Sequence, residues 1–202
     1  MKRLFIILSA ISVLFSGCEN TDEEYIRMFE NEFYVDETVQ TVTDNILETG
    51  CVTTLSQITE YAKIIFESFY DDFDDNTLLS IESDDANGLW NVTTLEENSK
   101  YLNVNKSNCK VVGIGEGEPI LHMNNIINND ETASKISEAI LKFVYGKEIL
   151  NNSSIIVEKY DSELNLWYVK SKLNEDKVRV GGSGYIILNG YDCEVQQIWH
   201  TQ

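Results

Sequence analysis

The side chains most able to do chemistry here are carboxylates. Asp71, Asp72, Asp74 and Asp75 fall within five residues, and Asp84-Asp85 and Glu96-Glu97 follow along the same stretch. Grouped acids can hold a cation or face a basic surface. A calcium loop of the EF-hand type needs Gly at its sixth position and Glu at its twelfth. Counted from Asp72 those positions are Thr77 and Ser83, so the motif fails and no metal is expected. The remaining use is an acidic patch, Asp71, Asp72, Asp74, Asp75, Asp84, Asp85, Glu96 and Glu97, that steers association with a basic protein. The bland alternative is a solvated helix end and two turns.

Other chemistries fare worse. Gly181-Gly182-Ser183-Gly184 lacks the second glycine of a nucleophile elbow, because position 185 is Tyr. Val112-Gly113-Ile114-Gly115-Glu116-Gly117 follows a strand pattern, but no helix pattern opens after it, so it is no dinucleotide fingerprint. Two histidines, His122 and His200, leave little for histidine-based catalysis. With no nucleophile, metal set or paired carboxylates to name, no enzyme and no cofactor are expected. Cys51, Cys109 and Cys193 could pair in an oxidising compartment, with Cys51–Cys109 the more plausible bridge. Cys109 and Cys193 also read as small buried residues at strand starts.

The chain that positions these groups has 202 residues and a formal charge of −19, from 34 acidic and 15 basic side chains. Such a charge argues against nucleic acid, whose phosphates require a basic surface. The charge is uneven. Residues 18–129 hold 23 acidic against five basic residues, while residues 130–202 hold eleven against eight. The field therefore belongs to the first part of the chain.

Lys2 and Arg3, the apolar run Leu4 to Phe15 and the small residues Ser16 and Gly17 read as a signal peptide over residues 1–17. Phe15-Ser16-Gly17-Cys18 resembles the bacterial lipobox, which implies that Cys18 becomes a lipidated N-terminus in the cell envelope, periplasmic or surface-exposed. Cleavage would remove two positive charges and leave −21. The apolar run is short for a membrane span. Residues 18–54 then comprise an acidic tether, Glu19 to Glu24, and a segment over 25–50 with helical spacing of Tyr25, Met28, Phe29, Val39, Val42 and Ile46.

An internal repeat organises the rest. Ser56-Gln57-Ile58-Thr59-Glu60 matches Ser134-Lys135-Ile136-Ser137-Glu138 at an offset of 78. Leu89-Trp90-Asn91-Val92 matches Leu166-Trp167-Tyr168-Val169 at 77, and Tyr101 to Cys109 matches Tyr185 to Cys193 at 84. Ile58, Ala62, Ile65, Phe66 and Phe69 form one helical stripe; Ala133, Ile136, Ile140, Phe143 and Val144 form another. Strands are predicted near 77–82, 89–95, 100–105 and 109–114, and near 154–160, 165–173, 184–189 and 193–199. The expected architecture is α+β: two tandem modules, 55–115 and 130–202, each a helix on a curled antiparallel sheet. Residues 116–129, with the only proline, Pro119, and four asparagines, read as linker. Trp90 and Trp167 read as core, and Trp199 as a terminal residue open to solvent.

The second copy carries a resemblance. Asp130-Glu131-Thr132-Ala133, Ile136, Glu138-Ala139-Ile140-Leu141, Tyr145-Gly146, Trp167-Tyr168-Val169, Val180-Gly181-Gly182 and His200 together resemble the NTF2-fold immunity protein family over residues 130–202. The resemblance implies neutralisation of a protein toxin or effector by stoichiometric binding. A different class stays open: an envelope lipoprotein that binds a small ligand in an NTF2-like pocket.

Overall fold

The computed structural model describes residues 49–117, 125–151, 153–173 and 183–200. All of them belong to one compact unit spanning Glu37–Gln202. The signal peptide, Cys18, the segment 25–48, Pro119, His122 and Val180-Gly181-Gly182 lie outside the described residues.

Helix α1 covers Leu55–Phe69. Thr54 and Gln57 form a reciprocal capping box, Gln57 N–H donating to Thr54 Oγ1 at 3.3 Å and Thr54 N–H to Gln57 Oε1 at 3.0 Å. Its inner face buries Ile58, Tyr61, Ala62, Ile65 and Phe66. Four antiparallel strands follow in sequence order: β1 Leu79–Asp84, β2 Leu89–Thr94, β3 Lys100–Asn105 and β4 Val111–Glu116. Helix α2, Asp130–Tyr145, is capped by Asn129, whose side chain accepts from Thr132 N–H at 2.9 Å. Asp130 and Glu131 in its first turn and Lys142 in its last complement the helix dipole. Strands β5 Ser153–Asp161, β6 Leu166–Leu173, β7 Gly184–Asn189 and β8 Val195–His200 form the second antiparallel sheet, again in sequence order.

One continuous apolar core joins the two parts: Tyr61, Ile65 and Phe66 of α1, Ile136, Ile140 and Leu141 of α2, and the inner faces of both sheets. Helix α2 packs on β5, β6 and β7 and against α1, and α1 also meets β1. Among the described residues no helix is long and apolar enough to cross a membrane.

The two sheets share fine geometry. Trp90 pairs with Val104 and Trp167 with Leu188. The β3–β4 register shifts between Asn103 and Val104, and the β7–β8 register between Ile187 and Leu188, 84 residues on. Cys109 and Cys193, at the same offset, both have φ of 61°. Across the junction Val111 N–H donates to Asp192 O at 2.8 Å and Val195 N–H to Asn108 O at 2.9 Å. Shifted by 84 residues, each bond is the reverse of the other.

Several expectations change. The helix caps Thr54 and Asn129 are 75 residues apart, so the sequence match at 78 is displaced by nearly one helical turn, which leaves the same residues on the buried face. Cys109 and Cys193 do not start strands. Their left-handed backbone closes the turn, and pairing begins two residues later at Val111 and Val195. The linker reading fails at both ends described. Glu116 ends β4, while Ile126 and Ile127 are fully buried, and Ile127 N–H donates to Gly190 O at 3.0 Å. Two isoleucines repaid by burial in the core outweigh the surrounding asparagines. Trp199 is 4% exposed, stacked on Tyr185 with ring centroids 5.1 Å apart.

Candidate functional site

The acidic stretch after α1 is held by its apolar anchor. Phe73 packs on Phe66, ring centroids 5.3 Å apart, so the flanking aspartates point outward. Asp74 Oδ1 accepts from Asn76 N–H at 2.8 Å and from Asn76 Nδ2 at 2.9 Å, and these bonds hold its carboxyl below the usual carboxylate range. Lys63 reaches Asp75 at 3.0 Å. Lys100, only 3% exposed, extends its buried stem so that Nζ meets Asp72 at 3.3 Å and Glu96 at 4.0 Å, with the Tyr70 ring centroid 5.2 Å away. Thr77 Oγ1 donates to Glu96 Oε1 at 2.8 Å. These contacts bring Asp71–Asp75 and Glu96–Glu97 to one end of the first sheet.

Asp84 and Asp85 lie elsewhere. They occupy the β1–β2 turn, whereas Leu79 at the other end of β1 pairs with Thr94, next to the Glu96 loop. A strand of this length separates them by about 17 Å. Asp84 accepts from Asn87 Nδ2 at 2.7 Å and Asn87 N–H at 3.1 Å, which lowers its pKa. Asp85 bonds Lys106 and Ser83, and that lowers its pKa likewise. The eight acids therefore form two surfaces. Six of them serve turns or ion pairs within the chain, leaving Asp71 and Glu97 as exposed carboxylates with no such bond among the described residues.

Sequence reasoning missed what accompanies the larger cluster. Leu78 and Leu95 are 72% and 63% exposed and adjoin through Leu95 N–H donating to Leu78 O at 2.9 Å. An apolar pair ringed by charge has the anatomy of a protein-binding surface. The only signal was two leucines just outside the strand alternation.

The thiols are internal. Cys51, Cys109 and Cys193 are free and buried, Cys51 and Cys109 in side-chain contact without a bridge. The Tyr61 hydroxyl donates to Cys109 O at 2.9 Å. Burial pushes the Cys109 and Cys193 thiols up, so neither is an activated nucleophile. Among the described residues no group of three or more His, Cys, Asp or Glu is placed to hold a metal ion.

A cleft of about 530 Å³ opens beside the N-terminus of α2, bordered by Asn125, Asn128, Asp130, Glu131, Tyr160 and Trp167. Tyr160 stacks on Trp167 with centroids 4.4 Å apart. This too was missed, because its rim fell in the presumed linker and its wall was assigned to the core.

Residues 132–202 match the model of the NTF2 fold immunity protein family. The match bears out the resemblance seen over residues 130–202 and covers nearly all of α2 together with β5 to β8. No curated protein and no solved structure matches the chain.

Proposed function

We propose that this chain is a lipid-anchored immunity protein that neutralises a toxin or effector by binding it stoichiometrically. The observation that carries the reading is the family match over residues 132–202, on an α+β unit. The charge of −19 and the exposed Leu78–Leu95 pair among carboxylates support a protein partner with a basic surface. The shared register shifts and the reciprocal bonds of the junction support two related tandem modules. The lipobox-like Phe15-Ser16-Gly17-Cys18 supports acylation at Cys18 and a place in the bacterial envelope. Two signals would usually be needed for firm attachment by acyl chains.

Where a secreted toxin is encoded beside this gene, the test is co-expression of the two. Rescue of growth, together with a one-to-one complex of the purified proteins, is expected. Growth arrest that persists while the folded chain is present at equal level would reject the reading. For the anchor, labelled fatty acid should enter the wild-type chain and not the Cys18→Ala variant.

A further inference from the structure

Trp90 and Trp167 occupy equivalent places in β2 and β6, yet their surroundings are completed differently. The Trp90 indole N–H donates to Val52 O at 2.7 Å. The Lys106 ammonium stands 4.6 Å from the Trp90 ring centroid, bonded to Ser83 Oγ at 2.6 Å and paired with Asp85. The first half thus places its own cation and carboxylate against its tryptophan.

In the second half the residue corresponding to Lys106 is Gly190, which has no side chain to supply a cation. A Cβ there would lie 2.4 Å from Asn165 Oδ1 and 2.9 Å from Trp167 Nε1, so the position excludes any side chain. Trp167 is 5% exposed, and its enclosed indole N–H has no acceptor. Ile127, which corresponds to Val52, lines the cleft together with it. Tyr160, 41% exposed, lies on Trp167 and presents aromatic surface to the cleft, and its hydroxyl donates to Asn165 Oδ1 at 3.0 Å. Asp130 at the rim has no ion pair among the described residues; Glu131 is shared with Lys135 at 2.9 Å.

We propose that this cleft receives an arginine side chain from the protein partner, with Tyr160, which covers Trp167, as its stacking surface. The inference rests on the toxin-binding reading and names where part of that contact falls. A guanidinium is planar and weakly hydrated, so it stacks on Tyr160 while its N–H groups reach the Asp130 carboxylate. An anion would meet Asp130 and Glu131 with like charge.

The experiment is a titration of the ¹⁵N-labelled full chain with N-acetyl-arginine amide, read at the tryptophan indole resonances, with Trp167→Phe identifying the relevant one. The Trp167 signal should move saturably, with dissociation in the millimolar range or weaker, as suits a single side chain. The signals of Trp90 and Trp199 should stay in place. N-acetyl-citrulline amide, which is neutral and of similar shape, should bind several-fold more weakly. Asp130→Asn, an exposed change, should weaken arginine binding about two- to fivefold while lowering the thermal midpoint by no more than a few degrees through the lost helix-dipole contact. No saturable movement at Trp167, or equal binding of citrulline, overturns the proposal. So does a toxin whose affinity is unaffected by Asp130→Asn. Because the titration contains no toxin, failure of neutralisation in co-expression is a separate result and counts against the immunity reading alone.

Discussion

The junction between the two sheets can be tested by a charge pair whose two members come from opposite halves. Lys110 Nζ lies 2.9 Å from Glu194 and 3.2 Å from Asp192, and Asn108 Nδ2 donates to Glu194 Oε1 at 2.8 Å. Two unit charges at 2.9 Å attract by about 1.4 kcal/mol at the dielectric of water and about 6 kcal/mol at an effective value of 20. The Lys110 side chain is 38% exposed and that of Glu194 27%, so solvent screening and desolvation remove most of the larger figure. A coupling of about 1 kcal/mol is expected. Lys110→Met, Glu194→Gln and the double variant, compared by urea unfolding at pH 7, give that coupling directly. It should shrink in 1 M salt. Glu194 and Asp192 raise the Lys110 pKa, so the stabilisation is fully present below the unfolded lysine value and disappears as pH rises through the higher folded value. Single variants that add to the double within about 0.3 kcal/mol at every pH would show that the halves are joined by the shared core and other contacts without help from this pair.

Other outcomes follow from particular contacts. Ile127→Ala should cost about 2–5 kcal/mol in denaturant unfolding, because the side chain is fully buried; a loss near zero would return this segment to a linker. Tyr61→Phe should cost about 1–3 kcal/mol by stranding the buried Cys109 carbonyl, and an unchanged midpoint would show that another donor serves it. Burial, then Glu116 and Asp72, push the Tyr70 hydroxyl up to about 12, so stability should decline between pH 10 and 12 as the unfolded chain ionises first. Tyr70→Phe should flatten that decline, measured as urea midpoint against pH, and an identical profile would refute the assignment. Asp71→Asn with Glu97→Gln should slow association with a basic partner and reduce its salt dependence in stopped-flow, whereas Asp72 variants should also lose stability by leaving the buried Lys100 with only its longer Glu96 contact.

Periodicity made most of the scaffold legible. Strands β2, β3 and β7 fall within a residue of their expected bounds because alternation and turn residues agree there. The helix stripes held because a displacement of one turn returns the same face. Backbone conformation was not legible. Nothing in the residue type marks Cys109 or Cys193 as left-handed, since such a turn usually takes glycine or asparagine, as it does at Gly88 and Asn165. Ile126-Ile127 was too short a run to announce burial amid asparagines. The acidic clusters were legible as charges but not as neighbours, for sequence order does not reveal that Lys100 draws Asp72 to Glu96 or that β1 carries Asp84 away.

That last point changes what the charge can do. Carboxylates paired with Lys63, Lys100 and Lys106 are held in place, and each ion pair is nearly neutral at a distance, so the long-range field falls to the remaining acids spread over the surface. Such a field accelerates encounter with a basic partner without choosing where it lands. Choice of place requires contacts that are buried on binding, and among the described residues the Leu78–Leu95 pair and the cleft at Tyr160 and Trp167 offer them. One lies in each half, and the halves share a single core, so a partner engaging both would be oriented by the reciprocal junction between them.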